Sequence, residues 1–203
     1  LADAGATAIV LADEQRSLGL IGIADEVRPG TASAIAHLKA MKIDVIMLTG
    51  DNVATAAAVA ATLGIAKFRA EVLPGDKAAE VGRLKQTGRL VAMAGDGIND
   101  APALAAADIS FAIAAGSDIA IESADITLMR SDLTSVVDAI RLSRSTLGKI
   151  RQNLFFAFFY NVLGIPLAAL GLLNPVIAGA AMAMSSVSVV TNSLLLKRWK
   201  PIA

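Results

Sequence analysis

Two kinds of hydrophobic pattern divide the chain. In the first, short continuous apolar runs alternate with stretches of helical period. It begins with TAIVLAD at 7–13 and SLGLIGIA at 17–24, two strands that Glu14-Gln15-Arg16 joins as a hairpin. In DEVRPG, Asp25 to Gly30, Pro29 suits the first turn of a helix. The pattern then predicts a helix over about 30–42, a strand Val45–Leu48, a helix over about 53–63 and a short strand near 68–71. A helix over 75–87, a strand Leu90–Ala94, a helix over about 101–106, a strand Ile109–Ile113 and a weaker strand Ile126–Met129 follow. Continuous apolar strands separated by alanine-rich helices predict an α/β fold with a parallel sheet covered on both faces. In such sheets ligands bind beyond the carboxyl ends of the strands. That rule selects TGD, Thr49 to Asp51, and GDGIND, Gly95 to Asp100.

The second pattern has no alternation. From Gln152 to Leu196 no side chain is charged, and Asn174-Pro175, a turn signal, splits the stretch into Gln152–Leu173 and Val176–Leu196. Each half is about as long as the roughly 20 apolar residues that a membrane crossing requires. A two-helix transmembrane hairpin is therefore expected, reached through a linking helix of mixed polarity, Leu133 to about Arg151, that Asp132 caps. The same stretch folded into a soluble core would leave a large apolar surface for a small domain to cover.

Composition supports the division. The mean hydropathy of +0.63 is high for a protein that lives in water. All 18 acidic and 15 of the 18 basic residues lie within residues 1–151. Arg141, Arg144, Lys149 and Arg151 precede the apolar stretch and Lys197, Arg198 and Lys200 follow it, while its central turn carries no charge. By the tendency of basic flanks to stay inside, both ends of the hairpin are expected to be cytoplasmic in a multi-pass protein of the cell membrane. The chain has no cysteine, so it builds neither a disulfide framework nor a thiolate metal site. It opens on Leu1 with no signal-peptide pattern, and reads as the later part of a longer polypeptide.

At the strand ends, Gly95 and Gly97 allow a backbone path that side chains would obstruct, and Asp96 and Asp100 can converge on one side of the turn. Two hard carboxylates suit Mg²⁺, which keeps several waters and shares its shell with phosphate. Asn99 can orient the second carboxylate or reach the phosphate. The alternative is that both aspartates only cap the turn and the next helix. Thr49 offers a hydroxyl beside the free N–H groups of a helix that begins near Asn52, a small anion site, although Thr-Gly-Asp is also an ordinary helix entry. Lys77 sits in the first turn of a helix, where a cation is unfavourable unless an anion offsets it.

Thr49, Lys77, Asp96 and Asp100, in this order, resemble the motifs of the haloacid-dehalogenase-like phosphoryl-transfer fold. More closely, MLTGDN, LPGDK and AGDGINDAPALAAADISFAI look like the phosphorylation domain of a P-type ATPase, and DEVRP resembles its hinge. The resemblance implies a Rossmannoid sheet in which Thr49 and Lys77 hold the phosphoryl group, Gly50, Asp51 and Asn99 support it, and Asp96 and Asp100 bind Mg²⁺. It implies the division 1–24, tail of a nucleotide-binding domain; 25–131, the C-terminal part of a phosphorylation domain; 132–151, a linking helix; and 152–203, the last two transmembrane helices with a basic tail. The family's nucleophile is the aspartate of a DKTGT sequence, and neither DKTGT nor the actuator TGE occurs here. The expectation is supports for phosphoryl transfer without the group that attacks, hence a chain inactive alone.

In the apolar half, Tyr160-Asn161 precedes Gly164 and Pro166 on the first helix, and Pro166 is expected to kink it. On the second, Met182 and Ser186 share a helical face, with Ser193 a heptad beyond Ser186. A thioether favours a soft monovalent metal, although a methionine at helical spacing more often packs. Tyr160-Asn161 and Met182-x-x-Ser185-Ser186 look like the signatures of copper-exporting members of the heavy-metal class of P-type ATPases. The resemblance implies Tyr160, Asn161, Met182 and Ser186 as ligands of transported Cu⁺, with ATP and Mg²⁺ as cofactors.

The leading expectation is thus part of an ATP-driven Cu⁺ exporter. Expected partners are the lipid bilayer, the upstream part of the same polypeptide and a copper chaperone, with no nucleic acid. A membrane-tethered binding or regulatory module with a degenerate phosphatase-like domain stays open, as do an anchored phosphatase and a pump for Ag⁺ or another heavy metal.

Overall fold

The computed structural model describes residues 7–13, 16–23, 26–96, 98–113, 122–172 and 174–202. Asp25, Gly97 and Leu173, used above, lie outside the described residues. The chain divides into two compact units, Leu1–Val137 and Asp138–Ala203.

In the first unit β1 (Thr7–Ala12) and β2 (Ser17–Ile23) form an antiparallel hairpin, with Thr7 opposite Ile23. The remaining strands are parallel. β3 (Ile46–Leu48) pairs with β4 (Lys67–Arg69), Met47 opposite Phe68. β5 (Ala92–Gly95) pairs with β6 (Ile109–Ile113), which pairs with β7 (Ile126–Leu128). Instead of one continuous sheet there are thus two parallel ladders. β3 is joined to β4 alone and β5 to β6 alone, so each keeps an edge without a ladder partner among the described residues.

Between the strands run α1 (Thr31–Ala40), α2 (Val53–Thr62), α3 (Pro74–Gln86) and α4 (Ala101–Ala106). Gly30 opens α1 at φ 82°, a left-handed conformation that other residues rarely adopt, and an added Cβ there would lie 3.3 Å from Thr134 Cγ2. α2 starts where Asn52 Oδ1 accepts the Thr55 N–H at 2.9 Å, and its alanine-rich sequence buries Ala56 and Ala60. Ile35, Ala60 and Ile65 form a buried cluster against Val45, Met47, Leu63, Phe68 and Leu133. This apolar cluster packs α1 and α2 against the β3–β4 ladder.

The second unit is dominated by two helices, and its first helix begins in the first unit. α5 runs from Thr134 to Ala169 without a break at Arg151, so the linking helix and the first apolar helix are one element. No proline lies between Asp132 and Pro166, and the change from charged to apolar side chains alters only what surrounds the helix. Asp132 Oδ1 accepts the Ser135 N–H at 2.9 Å, which is the expected cap. Pro166 lies inside α5 without ending it, and the helix stops at Ala169, short of the expected Leu173. Gly171 terminates it at φ 69°, with Leu172 N donating to Leu167 O at 3.0 Å, a Schellman closure. α6 (Pro175–Leu194) starts at Asn174, whose Oδ1 accepts the Val176 N–H at 2.9 Å, and a 3-10 turn Leu195–Arg198 follows. Both helices are long and apolar enough to cross a membrane, and the apolar window of each is unburied.

Candidate active site and cargo face

The turn after β3 is tied to the turn after β4. Thr49 N donates to Arg69 O at 3.0 Å, Val72 N to Thr49 O at 3.0 Å and Glu71 N to Asp51 O at 2.8 Å. Within it Thr49 Oγ1 donates to Asp51 Oδ2 at 2.7 Å and accepts from the Asp51 N–H at 3.1 Å. The Thr49 hydroxyl is therefore held by Asp51. Of the N–H groups expected to be free at the start of α2, that of Thr55 is already taken by the Asn52 cap.

The turn after β5 carries the acidic residues. Asp100 is 9% exposed and stands at the N-terminus of α4, yet its side chain makes no capping bond. It accepts instead from Lys77 Nζ, with Oδ1 at 2.7 Å. The capping alternative therefore fails for Asp100. The pair also answers why a cation sits in the first turn of α3, since the carboxylate offsets the unfavourable end of the helix dipole. An added Cβ on Gly95 would lie 2.7 Å from Asp100 Cβ and 2.8 Å from Oδ2. Glycine is thus required where β5 passes the acidic side chain. Asp96 Oδ2 is 3.0 Å from Arg28 Nη2, and Arg28 Nη1 donates to Ser131 O at 3.4 Å. Arg28 and Asp96 side chains are about half exposed, at 52% and 46%. Asn99 is exposed on the 3-10 turn Ile98–Asp100.

Among the described residues no group of three or more acidic, histidine or cysteine side chains could hold a metal ion. Asp96 and Asp100 nevertheless fit Mg²⁺, which uses one or two carboxylates and completes its shell with water and phosphate. A cation there would compete with Arg28 for Asp96. Lys77 is joined to Asp100 and Thr49 to Asp51, with no side-chain hydrogen bond from one of these pairs to the other. Sequence reasoning missed Arg28. It lies 68 positions from Asp96, and no local pattern marks it as a partner.

Elsewhere in this unit carboxylates brace the strands. Asp108 Oδ2 accepts the Val91 N–H at 2.8 Å and Oδ1 pairs with Lys85 Nζ at 3.0 Å, which hold its carboxyl below the ordinary value, the Val91 bond contributing most. Asp125 Oδ2 accepts from both Ser110 Oγ, at 2.8 Å, and Ser110 N, at 2.9 Å, with the same downward direction.

On the hairpin, Tyr160 is half-buried and Asn161 and Ser186 are exposed. Met182 is 72% exposed. Asn161 Nδ2 donates to Ala157 O at 2.9 Å and Ser186 Oγ to Met182 O at 3.3 Å, so each is satisfied within its own helix. The two helices do not enclose a site by themselves. Met182, Asn161 and Ser186 are each open on their own helix.

A family model described as haloacid dehalogenase-like hydrolase matches residues 1–108. The chain is 57% identical over 196 residues to a copper-exporting P-type ATPase of Bacillus subtilis (strain 168), covering 97% of this chain and 24% of that protein. It is 52% identical over 200 residues to a probable copper-importing P-type ATPase A of Enterococcus hirae, covering 98% and 28%. Among solved structures, a zinc-transporting PIB-type ATPase in its E2.Pi state superposes with a TM-score of 0.85 at 39% identity, covering 96% of this chain and 32% of that one. The chain thus spans about a quarter of the length of the curated relatives it matches.

Proposed function

The chain belongs to the haloacid dehalogenase-like hydrolases, and from that premise we propose that it is the later part of an ATP-driven Cu⁺ exporter that cycles through an aspartyl-phosphate. The observation that carries the reading is the pairing of Lys77 with Asp100 beside Asp96, at the carboxyl end of a parallel strand, in a chain that also holds a charge-free helical hairpin. Lys77 and the Thr49 hydroxyl hold the phosphoryl group, and Gly50, Asp51 and Asn99 shape the turns that present them. Asp96 and Asp100 hold Mg²⁺, which supplies positive charge to the phosphoryl oxygens when bound. Most of the catalysis is positioning and charge neutralisation, so these residues act by being fixed before substrate arrives.

The nucleophile belongs to the polypeptide upstream of Leu1, in a DKTGT sequence. Among the described residues β3 and β5 each keep an edge without a ladder partner, which supports this reading, because a strand of the upstream polypeptide with an aspartate at its carboxyl end would find ladder partners there, level with the turns of Thr49 and Asp96. Residues 1–24 are then the end of a nucleotide-binding domain, 25–131 the later part of the phosphorylation domain, 132–151 the link and 152–203 the final membrane helices and basic tail. Both ends of the hairpin face the cytoplasm, the bilayer surrounds the hairpin, and a copper chaperone is the expected cargo donor.

Tyr160, Asn161, Met182 and Ser186 contact the transported ion as substrate. Met182 favours monovalent copper or silver over zinc. The relatives include both a copper exporter and a probable copper importer, and export is the direction proposed.

ATP hydrolysis by the full-length protein, compared with Cu⁺, Ag⁺, Zn²⁺ and Cd²⁺, tests the cargo. Stimulation by Cu⁺ and Ag⁺ is expected, and stimulation by Zn²⁺ alone overturns the assignment. Residues 1–203 alone, incubated with ATP, are expected to gain no acid-stable, hydroxylamine-labile phosphate. Its appearance would overturn the claim that the acceptor lies upstream.

A further inference from the structure

The side-chain bonds that join α5 to α6 gather at one end of the hairpin. Asn153 Nδ2 donates to Ser193 Oγ at 2.8 Å, Asn192 Nδ2 donates to Asn153 Oδ1 at 2.8 Å, and Lys149 Nζ donates to Asn192 Oδ1 at 2.8 Å. Gln152 Oε1 also accepts from Lys149 Nζ, at 3.3 Å. Each asparagine both donates and accepts, so the chain of bonds has a defined direction and breaks if either amide is lost. A directional bond fixes how two helices are turned and slid against each other at the point where it forms.

The register follows from the bonded pair. α5 and α6 run antiparallel, and seven residues along a helix bring a side chain back to nearly the same face, about 10.5 Å further on. Seven residues on from Asn153 is Tyr160, and seven residues back from Ser193 is Ser186. The Asn153–Ser193 bond therefore sets Tyr160 and Ser186 at one depth, with Asn161 level with Ser185. Met182 lies on the stripe of Ser186 and Ser193. Holding Ser193 against α5 thus fixes the direction in which Met182 and Ser186 point.

We propose that Lys149, Asn153, Asn192 and Ser193 form an interhelical clamp that sets the rotation and register of α6 against α5 and thereby aims the Met182–Ser186 face at the transported ion. They are positioning residues, and the inference rests on the cargo reading above. None of the four contacts the ion. The clamp acts on binding of the cargo, not on the chemistry of the phosphoryl group.

The test uses the full-length protein and Cu⁺-stimulated ATP hydrolysis. Asn192→Ala and Ser193→Ala are expected to raise the half-saturating Cu⁺ concentration about three- to tenfold with little change in maximal rate, the scale of one or two interhelical hydrogen bonds. Ser193→Thr keeps the acceptor hydroxyl and is expected to retain the wild-type value. As a second readout, Ala157→Cys with Val189→Cys, level in this register, should cross-link readily, and less so when Asn192→Ala is added. Wild-type stimulation by Cu⁺ with unchanged half-saturation in both alanine variants overturns the clamp alone. A Ser193→Thr variant as impaired as Ser193→Ala also overturns it, because bulk rather than the bond would be at fault. A wild-type protein that Cu⁺ does not stimulate overturns the cargo reading itself.

Discussion

Lys77 Nζ lies 2.7 Å from Asp100 Oδ1, and the two side chains keep only 16% and 13% of their surface in water. Removing one partner leaves the other desolvated and uncompensated. Lys77→Ala is therefore expected to cost about 2–3 kcal/mol, somewhat less than the roughly 3–5 kcal/mol for breaking a fully buried pair, since some water reaches both groups. Lys77→Ala combined with Asp100→Asn should recover part of that loss. Chemical denaturation of the two single variants and the double variant checks the coupling, and strict additivity would contradict it.

Gly95 ends β5 and Gly50 stands in the turn after β3, and the two differ in what a methyl group would meet. At Gly95 the added carbon lies 2.7 Å from Asp100 Cβ, too close for either to remain in place, while at Gly50 it lies 3.7 Å from Val72 O. Gly95→Ala is expected to lose about 1–3 kcal/mol and to displace the Asp100 carboxylate. Gly50→Ala is expected to change stability by about 0.5 kcal/mol or less. Equal effects from the two substitutions would refute the distinction.

Arg28 holds Asp96 at 3.0 Å across a half-exposed pair. Such pairs contribute about 0–1 kcal/mol, so their competition with a bound cation is limited. Arg28→Gln should tighten Mg²⁺ binding by no more than about fivefold. The Mg²⁺ dependence of phosphorylation from inorganic phosphate in the full-length protein measures this. Weaker binding in the variant would mean that Arg28 assists the ion.

The Val91 N–H and the Lys85 ammonium hold the Asp108 carboxyl below its ordinary 3.8 in the folded state. A lowered folded value adds stability that is fully present above the unfolded value and fades as pH falls through the folded one. Asp108→Asn should therefore be less stable than wild type at pH 7, and the gap should close below about pH 3.8. Urea midpoints across pH 2.5–7 check it, and a gap that widens toward acid would reverse the sign.

Much of the candidate site was legible because its signals are local. GDGIND and TGD each sit where an apolar run stops, and strand ends in a parallel fold are where ligand groups collect. The Asp132 cap and the Asn174-Pro175 helix start were readable for the same reason, since capping involves residues two or three apart. The join at Arg151 was not readable, because a change of polarity along a helix carries no backbone signal. The division of the parallel strands into two ladders was hidden as well, since periodicity reports a strand and not its neighbours.

The sequence by itself determined the element types, the charge-free hairpin and the residue types at the strand ends, all consequences of short-range sterics and hydrophobic periodicity. Only the tertiary structure decided who meets whom: Lys77 with Asp100, Arg28 with Asp96, Asn153 with Ser193. Those pairs are separated by 23, 68 and 40 positions. Their contact depends on how the strands, helices and turns stack and on which helix face is turned inward, a collective outcome of packing that no local window of residues contains.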